Sequence, residues 1–227
     1  MNTHRKTAII VGALFILATV ASSLGIFIFS SILDAPDYLI SVSANESQVI
    51  MAALFVLIDV VAVVGIAIMM YPILKKHNEA LALGYVAART IEGVLFTVYV
   101  VILLLLLTLS QEFVKAGTPD ASYFQTGGTL LRAASDWALS LGLRLAFALS
   151  ALILNYLLFN SKLVPRWLSG WGFVGATLVF ALLLLEFFGI NLTEILDLPI
   201  ALQEMVFALW LIVKGFNSSA IASESAE

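Results

Sequence analysis

The chain has 227 residues, of which 62% are hydrophobic and 11% charged, with a mean hydropathy of +1.07. Soluble domains carry about 25% charged residues, so this composition excludes an ordinary soluble protein. The absence of cysteine excludes disulfides, thiolate metal ligands and a cysteine nucleophile. The net charge of −4 arises mostly from loops on one side of the predicted topology and gives no reason to expect a nucleic-acid partner. We predict an all-α membrane bundle in a single domain, residues 1–216, followed by a disordered cytoplasmic tail, residues 217–227.

Six hydrophobic runs of about twenty residues are separated by short polar or proline-containing breaks. Their approximate bounds are 7–29, 47–74, 80–109, 129–159, 165–189 and 199–216. Lipid offers no hydrogen-bond partner to a bare backbone, and the alternation of a barrel strand is absent, so each run is predicted to be a transmembrane helix. The first run is too long for the hydrophobic core of a signal peptide and is interpreted as an uncleaved helix.

The basic residues of the short connections predict the orientation, because lysine and arginine are retained on the cytoplasmic side during insertion. The basic residues of one side are Arg5, Lys6, Lys75, Lys76, Lys162, Arg166 and Lys214. The opposite connections carry mainly acids and one clear lysine, Lys115. Both termini are therefore predicted to be cytoplasmic, in a multi-pass protein of the plasma membrane. Asp197 is expected to cap the sixth helix.

Five charged residues lie well inside the predicted spans: Asp59, Arg89, Glu92, Arg144 and Glu204. Each such charge costs about 2.5 to 3.5 kcal/mol on insertion scales and usually faces the bundle interior or a wet cavity. A rise of 1.5 Å per residue places all five about 15 to 22 Å from the inner boundary, in one layer built by four helices. Three acids and two bases leave one acid over, so we expect one carboxyl to hold a proton or a cation. Asp59, which has the least obvious partner, is the candidate.

Helical spacing predicts that Arg89, Glu92 and Glu204 point into the bundle. The residues that share their helix faces are Tyr85, Ala88, Phe96, Phe207, Ala208 and Leu211. Small residues four positions apart, such as Ala21 and Gly25, are expected to allow close helix packing. Asp136 and Glu186 lie towards the outer boundary and are expected to be solvated helix ends.

Two interpretations of the layer remain open. In the first, a proton, an ion or a small solute displaces an internal salt bridge, and the protein handles that solute in a proton-linked way. Against this interpretation, no proline breaks the middle of a predicted span, whereas carriers commonly place broken helices at their sites. In the second, the protein is a noncatalytic accessory subunit or scaffold, and the buried charges are ties that specify which helices pack together.

Catalytic and cofactor motifs are missing from the sequence. There is no His-Glu-x-x-His pattern, glycine-rich phosphate loop or Gly-x-Ser-x-Gly elbow, so we expect neither an enzyme nor a cofactor or metal site. An intramembrane enzyme that acts on lipid through two carboxylates is a distant third interpretation. The expected partners are the lipid bilayer and a small solute or ion, with a homo- or hetero-oligomer left open and nucleic acid not expected.

Several short motifs, taken together, resemble a prokaryotic membrane family. They are Tyr71-Pro72-x-Leu74, Ala82-Leu83-Gly84-Tyr85 through Arg89-x-x-Glu92, Pro165-Arg166-Trp167-Leu168, and Glu204 with Trp210-Leu211 and Lys214-Gly215-Phe216. From the first helix to the sixth, the chain resembles the domain of unknown function 4386 family. The resemblance implies a six-helix membrane protein of bacterial or archaeal type, with Arg89, Glu92 and Glu204 at the charged positions of the family. It implies no activity.

Overall fold

The structure is a computed structural model that describes residues 3–117, 121–190, 192 and 194–222. Within these residues, all regular secondary structure is helical. The α-helices are α1 (Thr3–Leu33), α2 (Tyr38–Ala44), α3 (Glu46–Leu74), α4 (Glu79–Ala116), α5 (Ala121–Ser140), α6 (Ala148–Ser161), α7 (Arg166–Phe187), α8 (Leu198–Val213) and α9 (Ser218–Ala222). A π-helical segment, Leu141–Phe147, joins α5 to α6, and a 3-10 turn, Glu194–Asp197, precedes α8.

Five of these helices are long and apolar enough to cross a membrane. They are Thr3–Leu33, Glu46–Leu74, Glu79–Ala116, Ser122–Ser161 and Arg166–Phe187, the fourth being α5, the π-helical segment and α6 together. Helix α8 has 16 residues and is also apolar, but it is only about 24 Å long, which is less than the roughly 30 Å of a hydrocarbon layer. Five long apolar helices are typical of a membrane protein, whereas α8 is shorter than the predicted sixth span, 199–216.

Helix α4 extends well beyond the predicted run, 80–109. Its 38 residues make it about 57 Å long, so it must tilt or project from the lipid. The side chain of Asn78 caps its start by accepting a hydrogen bond from the backbone N–H of Leu81 at 3.0 Å. Its end is marked by Gly117, whose φ of 66° lies in the region that favours glycine. The charged residues Arg89 and Glu92 therefore sit within an unbroken, capped helix.

The long helices form a closed ring. Each contacts the next in the order α1, α3, α4, α5–α6, α7 and α8, and α8 packs back against α1. Two glycines of α1 allow close approach on either side: a Cβ at Gly12 would lie 2.6 Å from the backbone oxygen of Ala208, and one at Gly25 would lie 2.8 Å from that of Ala52. Small residues thus set the packing of α1 against α8 and α3, in agreement with the spacing argument.

The apolar core of the ring is divided into clusters. One contains Phe15, Ile66, Tyr85, Leu158 and Phe207, and another contains Phe29, Val56, Phe96, Leu103 and Leu106. On α3, Asp59 lies between Val56 of the second cluster and Ile66 of the first. The charged residues therefore occupy a layer between two apolar halves.

Arg5 lies at one end of the ring, beside the carboxyl end of α8. Arg5 donates hydrogen bonds to the backbone oxygens of Leu211 at 3.0 Å and Ile212 at 2.6 Å, at the carboxyl end of α8. A guanidinium at this position satisfies carbonyls that have no partner within the helix and complements the helix dipole. The beginning of α1 is thereby attached to the end of α8.

Part of the predicted tail is helical in the structure. Residues Ser218–Ala222 form the short helix α9, because the side chain of Asn217 accepts hydrogen bonds from the backbone N–H and hydroxyl of Ser219 at 3.2 and 2.8 Å. Ala220 is also packed against the core. The rest of the predicted tail, residues 223–227, lies outside the described residues.

Candidate functional site

Arg89 is the centre of the charged layer. Its Nη1 donates to both carboxylate oxygens of Glu92, at 3.1 and 3.2 Å, and its Nη2 donates to Oε1 of Glu204 at 3.3 Å. The side chains of Arg89 and Glu92 are each 3% exposed, whereas that of Glu204 is 16% exposed. The pair within α4 is therefore fully buried, and the contact to α8 is the accessible part of the network.

Aromatic rings complete the surroundings of Arg89. Its guanidinium carbon lies 5.6 Å from the ring centre of Phe15, 5.8 Å from that of Tyr85 and 5.3 Å from that of Phe147. A cation is attracted to such ring faces, most strongly where water is excluded. Arg89 is thus held by two carboxylates and three rings from four parts of the ring of helices, and the predicted inward face of α4 is confirmed by the burial of Tyr85, Arg89 and Glu92.

Asp59 approaches the same site from α3 without completing the network. It is 3% exposed, and its Oδ2 is buried with no hydrogen-bond partner among the described residues. An ionised carboxylate without partners is costly in an apolar environment. Asp59 therefore has a greater need of a proton or an external cation than Glu92 and Glu204 have, because Arg89 already binds those two carboxylates.

A cavity of about 430 Å³ connects these residues. Its charged lining residues are Asp59, Arg89, Glu92, Asp197 and Glu204. Its remaining walls are mostly apolar, apart from a stripe of hydroxyl groups on α1. The stripe is formed by Thr19, Ser22, Ser23 and Ser30. The cavity thus extends from the buried Arg89 along the second half of α1.

Arg144, which the sequence places in the same layer, does not join the Arg89 network and has other partners. Its Nη1 donates to Oε2 of Glu186 at 2.8 Å, and its Nη2 donates to Oδ2 of Asp197 at 3.4 Å. The hydroxyl of Ser140 donates to the same oxygen of Glu186 at 2.6 Å. Glu186 is therefore a member of a second ionic cluster rather than a solvated end, and Asp197 makes no side-chain cap to α8 but accepts from Arg144.

The position of Arg144 follows from the π-helical segment that contains it. A π turn takes in an additional residue, so side chains beyond its start are rotated relative to a continued α-helix. Here the helix also passes close to α4, since a Cβ at Gly142 would lie 3.0 Å from the ring of Phe96. The break that the sequence did not reveal is thus present in the fourth long helix, and it lies next to the cavity, which Leu143 and Phe147 line. Such segments are frequent at functional sites.

A buried amide network extends the polar layer and was missed by the sequence analysis. Nε2 of Gln203 donates to Oδ1 of Asn155 at 3.4 Å and to the backbone oxygen of Leu168 at 3.2 Å. Both amides are nearly inaccessible, at 2% and 3% exposure. Their only sequence signal is an uncharged polar residue inside an apolar run. They connect α6, α7 and α8 directly behind Glu204.

The charges of the site are unbalanced. Arg89 is the only base among the residues that line the described cavity, against the acids Asp59, Glu92, Glu204 and Asp197. Asp197 is neutralised in part by Arg144, which leaves Arg89 to balance three carboxyl groups. With Arg89 alone counted against Asp59, Glu92 and Glu204, the excess of acid is two. Within the described residues, no three His, Cys, Asp or Glu side chains are placed to hold a metal ion together. The described lining of the cavity thus carries more carboxyl groups than bases, and such an excess attracts positive charge.

The five long apolar helices are typical of a helical membrane protein, and its core contains buried charged residues. The family model described as "Domain of unknown function (DUF4386)" matches residues 10–215, which is nearly the whole chain, and the chain belongs to that family. This confirms the resemblance noted from the motifs. No curated protein and no solved structure matches the chain.

Proposed function

We propose that this is a multi-pass protein of the plasma membrane that handles a small cation or cationic solute in a proton-linked way, through the central cavity. The observation that carries the proposal is the excess of acid. Asp59, Glu92 and Glu204 share one cavity, and Arg89 is the only base among its described lining residues. Three carboxyl groups beside one guanidinium in an apolar cavity need further positive charge, which protons or a cation supply. No catalytic or cofactor chemistry forms part of this proposal.

The proposed topology has six crossings with both termini in the cytoplasm. Its support is the position of the basic residues, since Arg5 binds the end of α8 while Lys162 and Lys214 line one cavity at the same end of the ring. Helix α8 is the short sixth crossing. Because it begins only at Leu198, the outer half of α1 lacks a full-length partner there, and the cavity opens along that half.

The proposed mechanism is the displacement of an internal ion pair. Glu204 is the most exposed carboxylate around Arg89, and the 3.3 Å contact between them is the only hydrogen bond described between α4 and α8 in this layer. A cationic solute in the cavity competes with Arg89 for Glu204, while Glu92 retains its two hydrogen bonds to Arg89. Binding of the solute therefore loosens α8 from α4. Asp59, whose Oδ2 has no hydrogen-bond partner among the described residues, takes up or releases the compensating proton.

The test uses proteoliposomes that contain a pH-sensitive dye. Gradients of Na⁺, K⁺ or tetramethylammonium are imposed in turn, and the change in internal pH is recorded. We expect the wild type to move protons with at least one of these cations and Asp59→Asn and Glu204→Gln to abolish that movement. Glu112→Gln is the matched control, because Glu112 is an exposed acid whose side chain is 57% exposed.

Two outcomes would contradict the proposal. The first is internal pH in wild-type liposomes that never departs from that of empty liposomes. The second is proton movement by Asp59→Asn and Glu204→Gln at the rate of Glu112→Gln. Circular dichroism of each variant in detergent separates loss of folding from loss of proton movement.

The second candidate is a noncatalytic accessory or scaffold protein. It is favoured by the burial of the Arg89–Glu92 pair and by the contact to Glu204, which ties α4 to α8. In this case the carboxylates serve packing, proton movement is absent, and a stable partner protein copurifies with the wild type. Purification of the chain alone from its native membrane, in mild detergent, would count against this candidate.

A further inference from the structure

A second cavity, of about 590 Å³, lies at the basic end of the ring and shares no lining residue with the central cavity. It forms where the connection between α6 and α7 meets the segment that follows α8. Three of its described lining residues are cations, Lys162, Arg166 and Lys214, and none is an acid. Its charge is thus opposite to that of the central cavity.

The walls of this cavity are fixed by backbone contacts. The backbone N–H of Asn217 donates to the oxygen of Leu163 at 2.8 Å, and its side-chain amide donates to the oxygen of Lys162 at 3.4 Å. Lys162 itself adopts a left-handed conformation, with φ of 58°, at the end of α6. Glycine is the usual residue at such a position, because a Cβ is unfavourable there. A lysine at this turn places a cation at the cavity at a conformational cost.

The three cations are available to a ligand. Among the described residues, none of them has a carboxylate within ion-pairing distance. Arg166 is steadied by Phe159, whose ring centre lies 5.1 Å from the guanidinium carbon and whose backbone oxygen accepts from Nε at 3.4 Å. This contact leaves the terminal nitrogens of Arg166 for an anion, and a guanidinium suits the oxygens of a phosphate group.

The aromatic residues beside the cavity are of the kind found at the depth of lipid headgroups. Trp210 lines the cavity and packs edge-to-face against Trp167, with ring centres 6.5 Å apart. Tryptophan is enriched where a membrane meets water, and basic pockets between helices at that depth bind anionic headgroups. We propose that this cavity binds the phosphate of an anionic phospholipid headgroup, with Lys162, Arg166 and Lys214 as its ligands. This proposal does not depend on the proposed function of the central cavity.

The experiment measures binding of a phosphatidylglycerol that carries pyrene on one acyl chain. The purified protein is kept in micelles of an uncharged detergent, and energy transfer from tryptophan to pyrene reports the bound lipid. The test variant is Lys162→Gln/Lys214→Gln. The control variant is Lys75→Gln/Lys76→Gln, which removes two exposed lysines that do not line this cavity. Melting curves without lipid confirm that both variants are folded.

We expect the test variant to bind the probe about 30-fold more weakly than the wild type, given the usual contribution of each basic residue to anionic lipid binding. The control variant should bind within a few-fold of the wild type. Equal losses in the two variants would show attraction by surface charge alone and would overturn the proposal.

Unlabelled competitors distinguish the two sources of the phosphate. Unlabelled phosphatidylglycerol should displace the probe and phosphatidylcholine should not. Displacement by glycerol phosphate or inorganic phosphate at concentrations no higher than those of the lipid would assign the site to a soluble phosphate compound and overturn the lipid assignment.

Discussion

Replacing Arg89 with methionine removes the base on which the charged layer depends. The substitution deletes three hydrogen bonds, two to Glu92 and one to Glu204, and leaves Glu92 with a side chain that is 3% exposed. Removing one partner of a buried ion pair typically costs about 3 to 5 kcal/mol, because the other charge remains buried without compensation. We expect Arg89→Met to lower the free energy of unfolding by that amount.

The same helix supplies a matched control. Lys115 and Glu112 are also three residues apart on α4 and form an ion pair at 2.8 Å, but their side chains are 70% and 57% exposed. An exposed pair of this kind contributes about 0.5 kcal/mol or less, so Lys115→Met should be nearly neutral. Both pairs lie on the same helix with the same three-residue spacing, and both bases are replaced by methionine. The Arg89 pair is buried and makes a further hydrogen bond to Glu204, whereas the Lys115 pair is exposed.

The assay is unfolding by sodium dodecyl sulfate in mixed micelles, followed by the fluorescence of the four tryptophans. A third variant, Arg89→Met/Glu92→Leu, removes both charges of the buried pair and should recover most of the loss, since a matched apolar pair avoids the buried charge. Equal loss of stability in Arg89→Met and Lys115→Met would refute the reasoning. Failure of the double variant to recover would show that the pair itself, rather than the stranded acid, determines stability.

Four further substitutions test other parts of the structure. Gly12→Ala should lower stability by about 1 to 3 kcal/mol, because the new Cβ would lie 2.6 Å from a backbone oxygen of α8. Gly65→Ala is the control, because its Cβ would have its nearest neighbour 3.6 Å away. It should be neutral or stabilise the protein by up to about 1 kcal/mol, and thermal melts compare the two variants. Arg144→Gln should lower stability by about 1.5 to 3 kcal/mol in the same detergent titration, since it removes two charge-assisted hydrogen bonds; an unchanged midpoint would contradict the second ionic cluster. Asp59→Asn should leave the midpoint unchanged or raise it, because the carboxylate has an oxygen with no partner among the described residues; a loss as large as that of Arg89→Met would show a structural role for Asp59.

The position of the α4 site could be predicted from the sequence, because it depends on local periodicity. Arg89, Glu92 and Phe96 lie three and four residues apart, and a continuous α-helix places such residues on one face. That face is buried, as predicted, because charged side chains within a hydrophobic run usually face the interior of the bundle. The first five hydrophobic runs likewise correspond to helices that are long and apolar enough for a membrane.

The position of Arg144 could not be predicted in this way. Counting depth along a chain assumes an unbroken α-helix and gives no information about which neighbour a side chain faces. The π-helical segment Leu141–Phe147 violates the first assumption, and its sequence offers only Gly142 as a hint. The sequence also gives no sign that Glu186 and Asp197 are the partners of Arg144. Glu186 lies near the end of α7, and Asp197 lies in the 3-10 turn before the short α8, so both contacts depend on how these elements pack against the fourth long helix.

The central claim is that the acid-rich cavity is wet and attracts cations, and the absence of native cysteine allows a direct measurement. Ser22→Cys places a thiol in the cavity near Asp59, whereas Ser150→Cys places one at a fully buried position that does not line it. Each thiol is then treated with two water-soluble methanethiosulfonate reagents, one carrying a cationic trimethylammonium group and the other an anionic sulfonate group, and the reaction rates are compared. The account predicts that the Ser22→Cys thiol reacts and that it reacts faster with the cationic reagent. Adding Asp59→Asn to Ser22→Cys should reduce this preference, and the Ser150→Cys thiol should stay unreactive. A Ser22→Cys thiol as unreactive as that of Ser150→Cys, or one with no preference for the cation, would contradict it.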